Sequence, residues 1–389
     1  MEGFVYPNEV VVQWGLLIAL YPYLTGLVAG AFIVSSLYHL FGVTSLRPIA
    51  PLSLITALAF VLVAPLPLLV HLGRPERGFE IFWTPHVSSA MAGFGYIWLF
   101  YTVLLVFETW LVFRKDIVRH QAASRGLKKV LYSALALGVY DVPERSLKTD
   151  GKIVKILSAI GIPGAAFLHG YVGFIFGSVK ANPWWSTPLM PAIFLLSAIV
   201  SGIALLIVLY VIVSQVRRQP LDHNCLGSLA GWLLGFLLID VTLEVMEVVS
   251  MMYELEESWE IVSQLITQKI ALSYLGIQMT LGAAVPLILL GAMGLARWSR
   301  GIRSALAFSS SVLLLVGVFA MRWNVVIGGQ LISKTLRGFV TYSPPLGGKE
   351  SALSALAIMG LSLLLLGAIA YFLPPWRKHE EEKPTLGSR

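Results

Sequence analysis

The chain has 389 residues, of which 57% are hydrophobic and only 13% charged. That charged share is about half of what soluble globular proteins carry, and the mean hydropathy is +0.79. A single cysteine, Cys225, excludes intrachain disulfides and zinc or iron–sulfur clusters, which need several thiolates.

Nine apolar runs are each long enough to cross a hydrocarbon core of ~30 Å. They fall near 14–41, 50–71, 88–114, 153–178, 189–214, 224–252, 268–296, 302–321 and 351–373. The fold class expected is therefore an all-α membrane protein of about nine transmembrane helices. Residues 1–376 read as one integral membrane domain and 377–389 as a polar C-terminal tail. Within the segment 115–152, the apolar stretch Val130–Val139 is too short to span and reads as an interfacial helix. The first basic residue is Arg47, so no cleavable signal peptide is expected.

Of the 28 lysines and arginines, 20 fall on one side of the bilayer and 8 on the other when the segments are assigned alternately. The positive-inside rule then places the N-terminus outside and the C-terminus in the cytoplasm. It also explains the net charge of +7 without a nucleic-acid partner. A short echo links Pro85-His86-Val87-Ser88-Ser89, before the third helix, to Pro183-Trp184-Trp185-Ser186-Thr187, before the fifth. Both bring hydroxyls to a helix start, where they can cap free amides. The echo fits a duplicated helix pair, and matches this short also arise by chance.

Ionisable groups inside spanning helices mark function, because each costs roughly 2.5–3.5 kcal/mol at mid-bilayer. Asp240, Glu244 and Glu247 stand at offsets that place all three carboxylates on one face of the sixth helix. Either this face relays protons, or it looks into a watery cavity or onto an extramembrane shoulder. Tyr21 in the first helix, His169 and Tyr171 in the fourth, and Glu244 and Glu247 lie at one level, roughly 8–13 Å below the outer surface. Apolar walls with donors and acceptors at one depth suit a quinone head group; a membrane tyrosine alone also suits an interfacial anchor. Only His39, His71 and His169 lie in or at the ends of spans. Two bis-histidine haems are thus impossible, and no haem is expected. Glu108 and Asp240 continue toward the inner side as candidate proton-relay groups.

Several motifs, in this order, resemble the polysulfide-reductase/NrfD family of integral membrane subunits. They are Pro7-Asn8-Glu9, Gly26-Leu27-Val28-Ala29-Gly30, Leu72-Gly73-Arg74-Pro75 and Ser88-Ser89-Ala90-Met91, then Phe167-Leu168-His169-Gly170-Tyr171 and Asn182-Pro183-Trp184-Trp185. The run Arg322-Trp323-Asn324, continuing to Gly328-Gly329-Gln330, closes the series. The resemblance implies a haem-free, quinone-binding anchor of four-helix-bundle-like arrangement, with a menaquinone-type quinone, in a prokaryotic cytoplasmic membrane. It implies a ferredoxin-like iron–sulfur subunit and a molybdopterin catalytic subunit, or a hydrogenase module, on the outer face. It places Tyr171 at the tyrosine that short members use toward the quinone. Tyr21 and Ile18 stand where those members have a histidine and an asparagine, so His169 or Glu247 is expected to supply a missing ligand.

Because the chain has no redox centre of its own apart from the quinone, electrons must pass to a partner. Arg74, Arg77 and Arg322 are candidate docking contacts for it, with the acidic run Glu254, Glu256, Glu257 and Glu260. Two other functions compete. Pro22, Pro65, Pro67, Pro163 and Pro286 could break the helices of a secondary transporter, whose sites however sit at the midplane. A quinone-linked proton-translocating subunit combines both chemistries.

Overall fold

In a computed structural model, described for residues 2–84, 86, 88–253 and 258–376, the protein is built almost wholly of helices. Among the described residues, nine are long and apolar enough to cross a membrane. These spans are, in order, Leu16–His39, Ala50–His71, Ala90–Ala123, Glu144–Gly177, Met190–Val216, His223–Tyr253, Leu272–Leu295, Arg300–Leu331 and Ala352–Phe372. The expected tail, 377–389, lies outside the described residues.

The first span is the hub. Its most apolar stretch is 94% buried, against 22% in the ninth, and it packs on the second, fourth, fifth and eighth spans. The third packs on the fourth, while the fifth packs on the fourth, sixth and eighth; the seventh packs on the eighth. Small residues allow the closest approaches. A Cβ on Gly202 of the fifth span would sit 2.4 Å from Gly30 Cα of the first, and one on Gly317 would sit 2.3 Å from Gly282 Cα.

Loops after the second, fourth, sixth and eighth spans gather with the N-terminus at one end. Strand β1 (Glu2–Phe4) pairs antiparallel with β2 (Arg337–Phe339), and Lys269 bonds Glu2. Lys349 donates to Leu72 O at 2.5 Å. The side-chain amide of Gln330 exchanges two 2.9 Å bonds with the backbone of Trp14, whose ring stacks on Trp185. At the other end Ser45 meets Ser228, and Tyr132 donates to Phe372 O.

Three boundaries differ from expectation. The third and fourth helices each have 34 residues, about 51 Å, so much of segment 115–152 is helix projecting past the bilayer. Charges end a hydropathy window without ending a helix, and here Arg114 bonds Asp150 at 2.9 Å across the pair. The short helix expected near Val130–Val139 spans Leu127–Leu135, pinned where Trp110 Nε1 donates to Leu135 O. Finally, the eighth span does not stop near residue 321. It continues to Leu331 through a π-helical segment, Asn324–Gly328.

Candidate functional site

The extension of the eighth span changes the meaning of Arg322. Expected as an outer docking residue, it is instead fully buried and has no surface to offer a partner. A charge at the end of an apolar run resembles a span terminus, yet the run resumes beyond it with Val325-Val326-Ile327. Its Nη2 lies 2.9 Å from His169 Nε2, 2.8 Å from Ser197 Oγ and 3.1 Å from Phe194 O. The guanidinium also lies over the Phe194 ring, 4.0 Å from its centroid. Its Nε is buried and without a partner. Asp240 and Glu244 lie within electrostatic range, although no described carboxylate pairs with it directly.

Arginine only donates, so Nε2 of His169 accepts and the imidazole proton sits on Nδ1. That nitrogen lies 3.3 Å from Thr25 Oγ1, which donates to Tyr21 O. Both nitrogens of His169 are thereby engaged. Buried completely, the ring holds Arg322 and joins three spans.

The expected site residues fall into two groups, one around Tyr21 and Tyr171 and one around the carboxylates. In the first, Tyr21 packs edge-on against Phe94 at 5.7 Å, and the Tyr171 hydroxyl lies against Gly93, where an added Cβ would be 2.4 Å away. Neither tyrosine hydroxyl is bonded to another described residue. Tyr171 is half-buried and flanked on its helix by the exposed rings of Phe167 and Phe174.

In the second, Glu244 and Glu247 line a small cleft of about 30 Å³ with Tyr274, Gln278 and Asn324. Asn324 Nδ2 donates to Gln278 Oε1 at 2.8 Å, and Gln278 Nε2 donates to Glu244 Oε2 at 3.0 Å. Ser273 donates to Asn324 Oδ1, and Glu247 Oε1 is buried and unpartnered. Gln278 and Asn324 each lie in a π-helical segment, Leu272–Ala284 and Asn324–Gly328. Such segments free backbone carbonyls and recur at functional sites. The loop 182–185 uses those carbonyls: Trp184 Nε1 bonds Asn324 O and Trp185 Nε1 bonds Val325 O, while Asn182 Nδ2 bonds Gly329 O. Both motifs stand out in the sequence, but nothing in it shows that they meet.

Asp240 is buried with Oδ1 unpartnered. Glu108, fully buried, accepts from Ser158 at 2.7 Å, and its Oε2 has no partner; it stands apart from the Arg322 cluster, toward the Arg114–Asp150 end. Arg74 and Arg77 are exposed on the face that carries the N-terminus. The Arg77 guanidinium bonds Glu80 and holds its carboxyl below the ordinary range. Of the acidic run, Glu260 is exposed, while Glu254, Glu256 and Glu257 lie outside the described residues.

Comparison with known proteins agrees with this architecture. The family model described as Polysulphide reductase, NrfD matches residues 7–334. A selenate reductase subunit of Mesobacillus selenatarsenatis is 29% identical over 96% of this chain and 89% of its own length. A polysulfide reductase component of Wolinella succinogenes is 27% identical over 83% of this chain and 95% of that protein. A tetrathionate reductase subunit of Archaeoglobus fulgidus is 26% identical over 96% of both. With nine apolar spans among the described residues and a family match over residues 7–334, the chain belongs to the NrfD/polysulfide reductase family of multi-pass prokaryotic membrane subunits.

Proposed function

We propose that this chain is the quinone-reactive membrane subunit of a respiratory oxidoreductase of the sulfur- or polysulfide-reductase kind. The observation that carries the reading is the buried Arg322, within electrostatic range of Tyr21 and of the membrane carboxylates Asp240 and Glu244, and held by His169, two residues from Tyr171 on the fourth span. A cation fixed in low dielectric stabilises negative charge developing on a nearby oxygen more strongly than it would in water. A quinone supplies two-electron, two-proton chemistry at its two carbonyl oxygens when bound.

The residues present fit such a ligand. The free Tyr171 hydroxyl, beside lipid-facing rings, donates to one carbonyl oxygen, and Tyr21 closes the deeper wall. His169 fixes the orientation of Arg322 through a neutral imidazole. Glu244 and Glu247 line a cleft with room for water, and with Asp240 they serve as proton acceptors within reach of the Arg322 field. Spans one to four and five to eight form two related four-helix sets, with the N-terminus outside and the C-terminus in the cytoplasm. The ferredoxin-like iron–sulfur subunit, and through it the molybdopterin or hydrogenase module, docks at the outer end over Arg74, Arg77 and Glu260.

One observation supports proton translocation as a second reading: Glu108, buried with an unpartnered oxygen, lies on the path from this site to the opposite face. Photolabelling tests the primary reading. A photoreactive menaquinone analogue added to the intact complex is expected to label peptides from the first, third and fourth spans, with unlabelled menaquinone competing. Labelling confined to the sixth and seventh spans would move the ring to the carboxylate cleft. Uncompeted labelling along the lipid-facing helices would remove the proposal.

A further inference from the structure

At the end of the molecule that carries the basic loops, the turn between the fifth and sixth spans and the start of the eighth line a second, open cavity. It measures about 290 Å³, and Arg218, His223 and Arg300 line it with Ser214, Gly301 and Ser304. Nothing in the proposed quinone chemistry uses these residues.

Several features separate the cavity from an ordinary solvated basic surface. Neither Arg218 nor Arg300 pairs with a described carboxylate. Asp222, the acid beside them in sequence, is occupied in capping the sixth span, accepting from Asn224 N at 2.8 Å and Cys225 N at 3.3 Å. His223 Nδ1 is buried at the cavity wall without a partner. Arg218 is held at φ 52°, in the left-handed region that branched and long side chains seldom adopt. The turn is closed by Arg218 N to Gln215 O and Gln219 N to Ser214 O. Gly301 adds the positive end of a long helix, whose first amides have no intrahelical acceptor.

Two positive side chains, an unpartnered imidazole nitrogen and the Ser214 hydroxyl converge on a space that suits an oxyanion with several acceptor oxygens, while the Ser304 hydroxyl donates to Arg300 O. The surroundings are apolar. Ile212 and Val216, on the adjoining face of the fifth span, are 42% and 78% exposed, so alkyl chains leaving the cavity would lie along them. Trp298, 41% exposed, and Trp376, stacked under Arg217, mark the same polar–apolar boundary. A zwitterionic lipid would bring its own cation against two arginines. A free phosphate would leave the apolar margin uncovered.

We propose that this cavity binds the phosphate group of an anionic phospholipid in the leaflet on the basic face. Basic pockets between membrane helices on that side recognise such head groups by charge.

The test uses the intact complex in detergent, with bound lipid counted by native mass spectrometry. Delipidated protein is titrated with phosphatidylglycerol, phosphatidylcholine or inorganic phosphate. We expect one phosphatidylglycerol per chain to bind in preference to phosphatidylcholine and to resist millimolar inorganic phosphate. The pair Arg218→Gln and Arg300→Gln should weaken that binding by about tenfold or more, and Arg218→Lys with Arg300→Lys should restore most of it. Equal binding of phosphatidylcholine, or unchanged binding in the glutamine pair, would overturn the proposal. Displacement of the lipid by inorganic phosphate would overturn the lipid assignment and give the cavity to a free anion. The lipid series on the unaltered protein decides the matter alone if the glutamine pair folds poorly. Because quinone labelling is a separate readout, failure here leaves the quinone reading standing, and the converse holds.

Discussion

Arg322 concentrates the physical chemistry of this protein in one side chain. A buried guanidinium is stable only if its donors are met and its charge is balanced. Its Nη2 reaches His169, Ser197 and Phe194 O, while balance comes from Asp240 and Glu244 at longer range. Arg322→Gln removes the charge and strands the imidazole, so we expect a loss of about 3–5 kcal/mol, read as a lower melting temperature of the purified complex. Arg322→Lys keeps the charge but loses the planar guanidinium that lies over the Phe194 ring while its Nη2 bonds His169. It should retain more stability than glutamine while still slowing quinone-coupled turnover. Glu108 makes a different prediction at the same scale. If it passes protons, Glu108→Gln in sealed vesicles should abolish proton movement while scalar quinone turnover continues. An unchanged proton-to-electron ratio would return Glu108 to a structural role, paired with Ser158.

Among the elements, the π-helical segments explain how distant motifs become one site. Winding Asn324–Gly328 more widely frees the carbonyls of Asn324 and Val325, which the indoles of Trp184 and Trp185 then take. The fit is close: a Cβ on Gly329 would stand 2.1 Å from Trp185 Nε1. Gly329→Ala should therefore displace that indole and cost about 1–3 kcal/mol, the usual range for overpacking, visible as altered tryptophan fluorescence with a lower melting temperature. The spans themselves are legible in the sequence, since long apolar runs have a single stable outcome in lipid. The carboxylate face of the sixth helix is legible too, because helical spacing is local. Arg322 is not, because its partners Ser197 and His169 lie more than a hundred residues away and a charge ordinarily closes a span. The signal that could have found it is the apolar run Val325–Ile327 immediately beyond. The extended third and fourth helices escape for a related reason. Hydropathy measures the thickness of lipid, whereas the helix is carried onward by backbone bonding and the Arg114–Asp150 pair.

For the whole molecule, the loops that gather with the N-terminus form a tied platform above the Arg322 level. The Lys269 ammonium bonds Glu2 and holds its carboxyl below the ordinary glutamate range. A depressed carboxylate contributes fully above its unfolded value, and that contribution is lost as the pH falls through the lower folded one. The amide protection factors at Glu2–Phe4, taken against the intrinsic rate at each pH, should thus be higher at neutral pH and fall in acid, and Lys269→Met should remove the difference. In the proposed function electrons cross this platform to or from the partner subunit, and the tyrosine side of Arg322 supplies the quinone chemistry. Tyr171→Phe probes that supply at its source, because it keeps the ring and removes one donor. A lost bond to a charged or partly charged oxygen is worth about 1.5–3 kcal/mol, or roughly ten- to a hundredfold in rate. The measurement is turnover of the intact complex with quinone and, in parallel, with an artificial dye that bypasses the membrane subunit. Quinone-coupled turnover should fall by that factor with dye-coupled turnover unchanged; quinone-coupled turnover within about twofold of the unaltered protein, a span of only ~0.4 kcal/mol, would contradict a quinone pocket at Tyr171.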